Sequence, residues 1–206
     1  MGVDIYGYAE ALVAGRWAFV GRMVPNPDRE YDADEPELMP EQLFHSYHKE
    51  LAAILTDSGN PIRSSEPYVP IVPRRGFPAD LSPELAGWLS RYKIEEWHSG
   101  RQWFFPTWFT AREAAGFGWT KRIMRRRAYV APQAAPLFAG CPRGFPWDHW
   151  PADVPVSYAG WSRDGIEVEW LETYAEIVPE FVGQVLPQFV RLGPPDQVRM
   201  VVVALW

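Results

Sequence analysis

The chain has 206 residues, 47% of them hydrophobic, with 21 prolines, 16 glycines and 11 tryptophans, and a formal charge of −6. That charge is unevenly spread: residues 1–60 carry four Lys/Arg against eleven Asp/Glu, residues 61–150 thirteen against seven, and residues 151–206 three against eight. The length suits one domain over 1–206, the turn-rich composition excludes a minimal helical bundle, and an acidic body excludes general nucleic-acid coating while its basic middle permits a local anion site.

The opening MGVDIYGYAE alternates cleanly and predicts a strand over about residues 2–10. Val3, Ile5, Gly7 and Ala9 share one face; Asp4, Tyr6, Tyr8 and Glu10 share the other, either as a ligand-facing wall or as the amphipathic side of a sheet under a helix. No basic-then-apolar leader precedes it and no apolar run approaches the ~18 residues of a spanning helix, so the reading is a cytoplasmic protein with no membrane partner. An Ala-Gly pair at 14–15 predicts a hairpin into a second strand at about 16–21. Residues 22–44, containing PNPDREYDADEPELMP, read as a solvated, mobile acidic loop.

HSYHKELAAILTD (45–57) reads as a helix, with Tyr47, Leu51, Ile54 and Leu55 at helical spacing. SPELAGWLSRYK predicts another, with Ser82 as N-cap and Pro83 at the first helical position. A short helix in TWFTAREAAGFGW starts at Thr110, with Glu113 completing a capping box. WTKRIMRRRAYV (119–130) and IEVEW (166–170) read as strands, separated by a long loop over 131–155 that holds six prolines. A helical stretch over 171–192 is expected to break or bend at Pro179 and Pro187, and VRMVVVALW (198–206) reads as a strand inside a sheet. The order is α+β: a mostly antiparallel sheet built from the N-terminal hairpin, the middle strands and the C-terminal strand, with helices packed on one face and long Pro-rich loops.

The segments MGVDIYGYAE, GRWAFVG, YHKELAAIL, PIVPRRGFPADLSPEL, PTWFTAREAAGFGWTK and VEWLETYAEIVPEF together carry a resemblance. The pattern resembles a widespread, uncharacterised family of phage and bacterial proteins that opens Met-Gly-Cys-Asp-Ile-His. The resemblance implies a phage or prophage setting, not a reaction. Val3 and Tyr6 stand where that family carries its cysteine and histidine, and the chain ends ALW rather than on a Phe-Asp-like sequence. Any chemistry carried by the family histidine is absent at Tyr6.

An internal echo is the most informative local feature. RGFPAD spans Arg75 to Asp80 and RGFPWD spans Arg143 to Asp148; in each, glycine permits positive φ, the aromatic can anchor in a core, and proline fixes the exit. Arg75 and Arg143, helped by Arg74, could clamp a phosphate or carboxylate. The alternative is an Arg–Asp pair that only stabilises each turn internally. KRIMRRR (121–127) puts Lys121, Arg125 and Arg127 on one strand face and Arg122 and Arg126 on the other, either as a phosphate ledge between Trp119 and Tyr129 or as a charge-protected, salt-bridged strand. Trp103, Trp108, Trp147 and Trp150 are candidates for lining a groove, with core anchoring the alternative.

Metal and nucleophile signals are thin. His45 and His48 sit at i, i+3 on the expected helix, Cys141 and His149 lie in the long loop, and no CxxC, HExxH, GxSxG, P-loop or GxGxxG occurs. The lone Cys141 excludes an intramolecular disulfide. The reading predicts no cofactor and no metal. It points to a phage-type accessory protein that binds a small anionic, nucleotide-like ligand, with Asp4, Tyr6, Tyr8, Arg74, Arg75, Asp80, Trp108, Arg143, Trp147 and Asp148 as its candidate ligand residues. A protein-interaction module acting on a host protein or assembling with itself is the alternative, and an enzyme acting on a phosphate compound a further one.

Overall fold

The structure is a computed structural model in which residues 2–58, 66–91, 104–156 and 164–205 are described, together with the backbone of 158–159. Its main sheet joins both ends of the chain. β1 (Asp4–Val13) pairs antiparallel with β10 (Val198–Leu205), from Asp4 opposite Leu205 to Ala11 opposite Val198. β6 (Phe104–Thr110) continues the sheet beyond β10. The other side of β1 is shared, with β2 (Arg16–Phe19) on its C-terminal half and β5 (Phe44–Ser46) on its N-terminal half. The β1–β2 turn uses the expected Ala14–Gly15 pair, both at positive φ (49° and 77°) as the twist of a two-residue hairpin demands.

β10 is buried on both faces from Val198 to Ala204, which is why its sequence runs apolar instead of alternating. One face packs Ile5, Phe109, Met200 and Val202 against α1 (Lys49–Thr56), α3 (Ala111–Gly116) and the 178–192 segment. The opposite face packs Tyr8, Phe104, Val201 and Val203 against α2 (Pro83–Leu89), through Leu85, Trp88 and Leu89. The mostly antiparallel α+β architecture is as the sequence predicts, but helices cover both faces rather than one.

A second sheet, in the order β8-β7-β9, is built from β7 (Ile123–Val130), β8 (Tyr158–Ala159) and β9 (Ile166–Thr173), all antiparallel. Its inner residues Ala128, Val130, Val168 and Trp170 pack with Phe138, Phe145 and Trp150 of the 131–155 loop, which gives that proline-rich stretch a core of its own.

Several expected elements shift. Residues 22–44 are not simply a loop: β3 (Met23–Pro25) pairs with β4 (Leu38–Pro40), and Asn26 caps the 3-10 turn Pro27–Glu30. The helix expected from residue 45 begins at Lys49, because Phe44–Ser46 bond to β1 and the His48 imidazole caps the first turn, accepting from the Leu51 N–H at 3.4 Å. Leu171–Thr173 extend β9; helix follows as α4 (Tyr174–Ile177), breaks at Val178 just before Pro179 as expected, and then runs on from 179 through a π-helical turn Phe181–Val185 into α5 (Leu186–Val190), which holds Pro187 without a break. The expected capping box forms at Thr110/Glu113, and the structure shows a second one at Thr173/Glu176. Ser82 holds the N-cap position of α2, but its backbone N–H donates to Glu10 while its hydroxyl makes no cap bond. Among the described residues no helix is long and apolar enough to cross a membrane.

Candidate functional site

The polar face of β1 has an open end and a closed end. Asp4 and Tyr6 stay partly exposed, whereas Tyr8 and Glu10 are buried. Tyr8 accepts from the Trp88 indole at 3.0 Å and belongs to the core between sheet and α2, so it cannot reach a ligand. At the open end β5 places His45 directly opposite Tyr6, and the two rings stack with centroids 4.7 Å apart and planes within 8°. Asp4 lies 3.2 Å from His45 Nε2, and Tyr47 packs edge-on against the same imidazole. When Nε2–H donates to Asp4, Nδ1 is left as an acceptor. Histidine thus does reach this end of the sheet, from β5 and not from position 6.

Beside that group a cleft of about 240 Å³ opens between β5, the start of α1 and the 178–185 segment. Phe44, Leu51, Val178, Phe181 and Val185 form its apolar floor. His45, Ser46, His48 and Glu180 form its rim. Phe44 and Phe181 meet edge to face at 5.4 Å, and Trp119 backs Phe181 at the same distance. Gly7 makes this possible: a Cβ there would overlap the edge of the Phe44 ring, so only glycine lets Phe44 lie across β1. Of the residues the sequence singles out, His45 and His48 line this cleft, as metal candidates and not ligand residues, while Asp4 and Tyr6 adjoin it through His45. The aromatic before HSYH and the glycine at position 7 are the sequence signals for the seating of Phe44.

Each arginine loop is held by contacts of its own. In both echoes glycine takes positive φ (71° at Gly76, 75° at Gly144), as expected. Phe77, however, packs with the Tyr8–Trp88 cluster and Phe145 with the Phe138–Trp170 cluster, so the loops seat in different cores. Arg75 forms a bidentate pair with Glu113 (3.1 and 2.6 Å) and lies 4.8 Å over the Trp108 ring, while Arg74 lies over Phe105. Asp80 accepts from Arg199 at 2.6 Å, not from Arg75, so the internal Arg–Asp pair does not form in this loop either. Arg143 bridges to Leu171 beside β9; Trp147 and Asp148 are exposed on the following turn, Trp147 packing on Phe145. Trp150 stacks on Phe145 and donates to the Val154 carbonyl; Trp103 lies outside the described residues.

Two buried ionic centres have architectural roles. Arg199 is 2% exposed and pairs with the fully buried Glu10 at 2.7 Å, under the Trp17 ring at 4.1 Å. Arg126, the inward member of KRIMRRR, reaches Glu50 at 3.1 Å, Glu172 at 3.7 Å and the Tyr68 hydroxyl at 2.7 Å, tying the second sheet to α1. Burial raises the Glu172 carboxyl above its ordinary range, outweighing the nearby Trp170 indole and Arg126 charge, and burial likewise raises the Tyr68 phenol. On the outer face Arg125 pairs with Glu169 and Tyr129 donates to Glu167, the salt-bridged reading of that strand.

Among the described residues no group of three or more His, Cys, Asp or Glu side chains is placed to hold a metal. His45 is on β5, His48 caps α1, and Cys141 and His149 lie in the loop packed on the second sheet. Comparison with protein-family models, curated proteins and solved structures gave no match to the chain.

Proposed function

We propose that this protein binds a small ligand in the cleft between β5 and the 178–185 segment. One observation carries the reading: an apolar floor and a rim of two imidazoles, a serine and a carboxylate converge on one opening at the edge of the main sheet. Concave sites of this kind, mostly apolar with a few polar groups that fix orientation, are where small molecules bind, and about 240 Å³ is slightly below the size of a drug-sized site and suits a ligand smaller than that. The Asp4–His45 couple gives the rim a directional acceptor, held by the Tyr6 stack. With the phage or prophage setting that the resemblance implies, the role is that of an accessory protein which sequesters its ligand.

The test is a thermal-shift screen of the full chain with small-molecule panels, nucleotides and cyclic dinucleotides included, on wild type, Val185→Phe and the double variant Arg75→Ala/Arg143→Ala. Stabilisation should grow with ligand concentration, disappear when the added ring of V185F fills the cleft, and survive loss of the loop arginines. Stabilisation that persists in V185F and vanishes in the arginine double variant would move the site to the RGFPxD loops and end this reading.

A further inference from the structure

The charges around the cleft select a class of ligand. Among the described residues no lysine or arginine lines it, and Glu180 is the one carboxylate on its wall. Each rim imidazole is backed by a further carboxylate, His45 by Asp4 at 3.2 Å and His48 by Glu50 at 3.3 Å. Glu50 is offset by Arg126 from the buried side, which leaves Asp4 and Glu180 as the carboxylates at the mouth. The floor adds the Phe44 and Phe181 rings, whose faces are electron-rich and attract cations. An anion entering here meets the Glu180 carboxylate and an apolar floor, with no lysine or arginine among the described lining residues to pair with.

Resting on the proposal that this cleft is the binding site, we infer that its ligand is an organic cation: an ammonium or guanidinium on an apolar stem, the stem against Phe44, Leu51 and Phe181 and the charge at Glu180. The basic middle of the sequence does not oppose this, because Arg75 and Arg125 are paired with carboxylates and Arg126 faces inward.

Three probes of one shape test it: phenethylammonium, 2-phenylethanol and 3-phenylpropanoate. Each is titrated at low salt into the isotope-labelled full chain, and the shifts of the Phe44 and Phe181 ring protons are followed. The ammonium is expected to bind about tenfold or more tighter than the alcohol, the carboxylate to show no saturation, and Glu180→Gln, an exposed position, to remove most of the preference. If the alcohol or the carboxylate binds as tightly as the ammonium, or E180Q leaves the preference intact, the cation assignment falls while the cleft stands as a site. If none of the three moves the ring protons, or Val185→Phe leaves every titration unchanged, the cleft itself is not the site and both proposals fall together.

Discussion

Glu10 and Arg199, 189 residues apart in sequence, face each other across β1 and β10 and form an ion pair shut inside the protein. Glu10 uses both carboxylate oxygens, one for Arg199 Nε at 2.7 Å and one for the Ser82 N–H at 2.7 Å. Arg199 also binds the Asp80 side chain and carbonyl. One pair therefore fixes the terminal strands to each other, the start of α2 to the sheet, and the first RGFPxD loop to both.

Removing Arg199 strips the fully buried Glu10 of its balancing charge, and removing Glu10 leaves the buried Arg199 with only the largely exposed Asp80 carboxylate. Glu10→Gln and Arg199→Met should each lower unfolding free energy by about 3–5 kcal/mol, whereas Asp80→Asn, whose carboxylate is largely exposed, should cost far less. The double variant E10Q/R199M should be less destabilised than the sum of the two singles. Urea denaturation of the four proteins checks this, and strict additivity would show that the pair is not coupled.

Arg126 offers a test with a pH signature. Arg126→Met strips the balancing charge from Glu50 and Glu172 and should cost about 3–5 kcal/mol at neutral pH. Glu172 already has a raised pKa in the fold, so it binds its proton more tightly folded than unfolded; its contribution is present below the unfolded carboxylate range and is lost as pH rises through the folded value. The deficit of R126M relative to wild type should therefore shrink on acidification. A deficit that stays constant from neutral pH to the carboxylate range would contradict it.

Acid should also act through Glu113. Burial works to raise its pKa, but the Arg75 hydrogen bonds and the Thr110 N–H outweigh that, and the net direction is downward. A lowered carboxylate stabilises the fold above its unfolded pKa, and that stability is lost as pH falls through the folded value. Glu113→Gln should be less stable than wild type at neutral pH, the gap closing below the ordinary carboxylate range. Thermal melts from neutral pH down through that range read both.

Much of this fold is written in local pattern. The alternation of β1, the unbroken apolar run of β10, the Ala14–Gly15 turn and the Thr110/Glu113 box each follow from one physical rule, and each forms as read. The misses share a cause in tertiary structure. HSYHKELAAIL has helical spacing throughout, yet pairing with β1 takes its first residues and His48 caps what remains. FFPTWFT hides a strand because β6 carries a proline at an edge and is apolar on both faces. The Thr173/Glu176 box was present in the sequence and marks where β9 gives way to helix. Beside the cleft, Asp4 and Tyr6 are legible from alternation, but Phe44 and His45 meet Glu180 only through contacts distant in sequence. The partner of each loop arginine was equally hidden, since Arg75 finds Glu113 across 38 residues and not Asp80 nearby.

Gly7 ties the fold to the proposed site most directly. A methyl group at this position collides with the Phe44 ring, and Phe44 is itself buried against Phe181, so the ring cannot simply swing into solvent. Gly7→Ala should displace Phe44 and loosen β5 from β1, at about 1–3 kcal/mol of stability, the usual penalty for overpacking. Because Phe44 is floor and His45 is rim, the same change should disturb the cleft more than the remote core. In amide spectra of a folded G7A protein, the largest shifts are expected at residues 44–48 and 178–185, with the Glu10–Arg199 end of the sheet little changed. Phe44→Leu, placed on the same background, removes the ring atoms that collide and should recover part of the lost stability. Shifts spread evenly over both sheets, or a double variant worse than G7A alone, would mean that Gly7 serves the backbone of β1 and not the seating of Phe44.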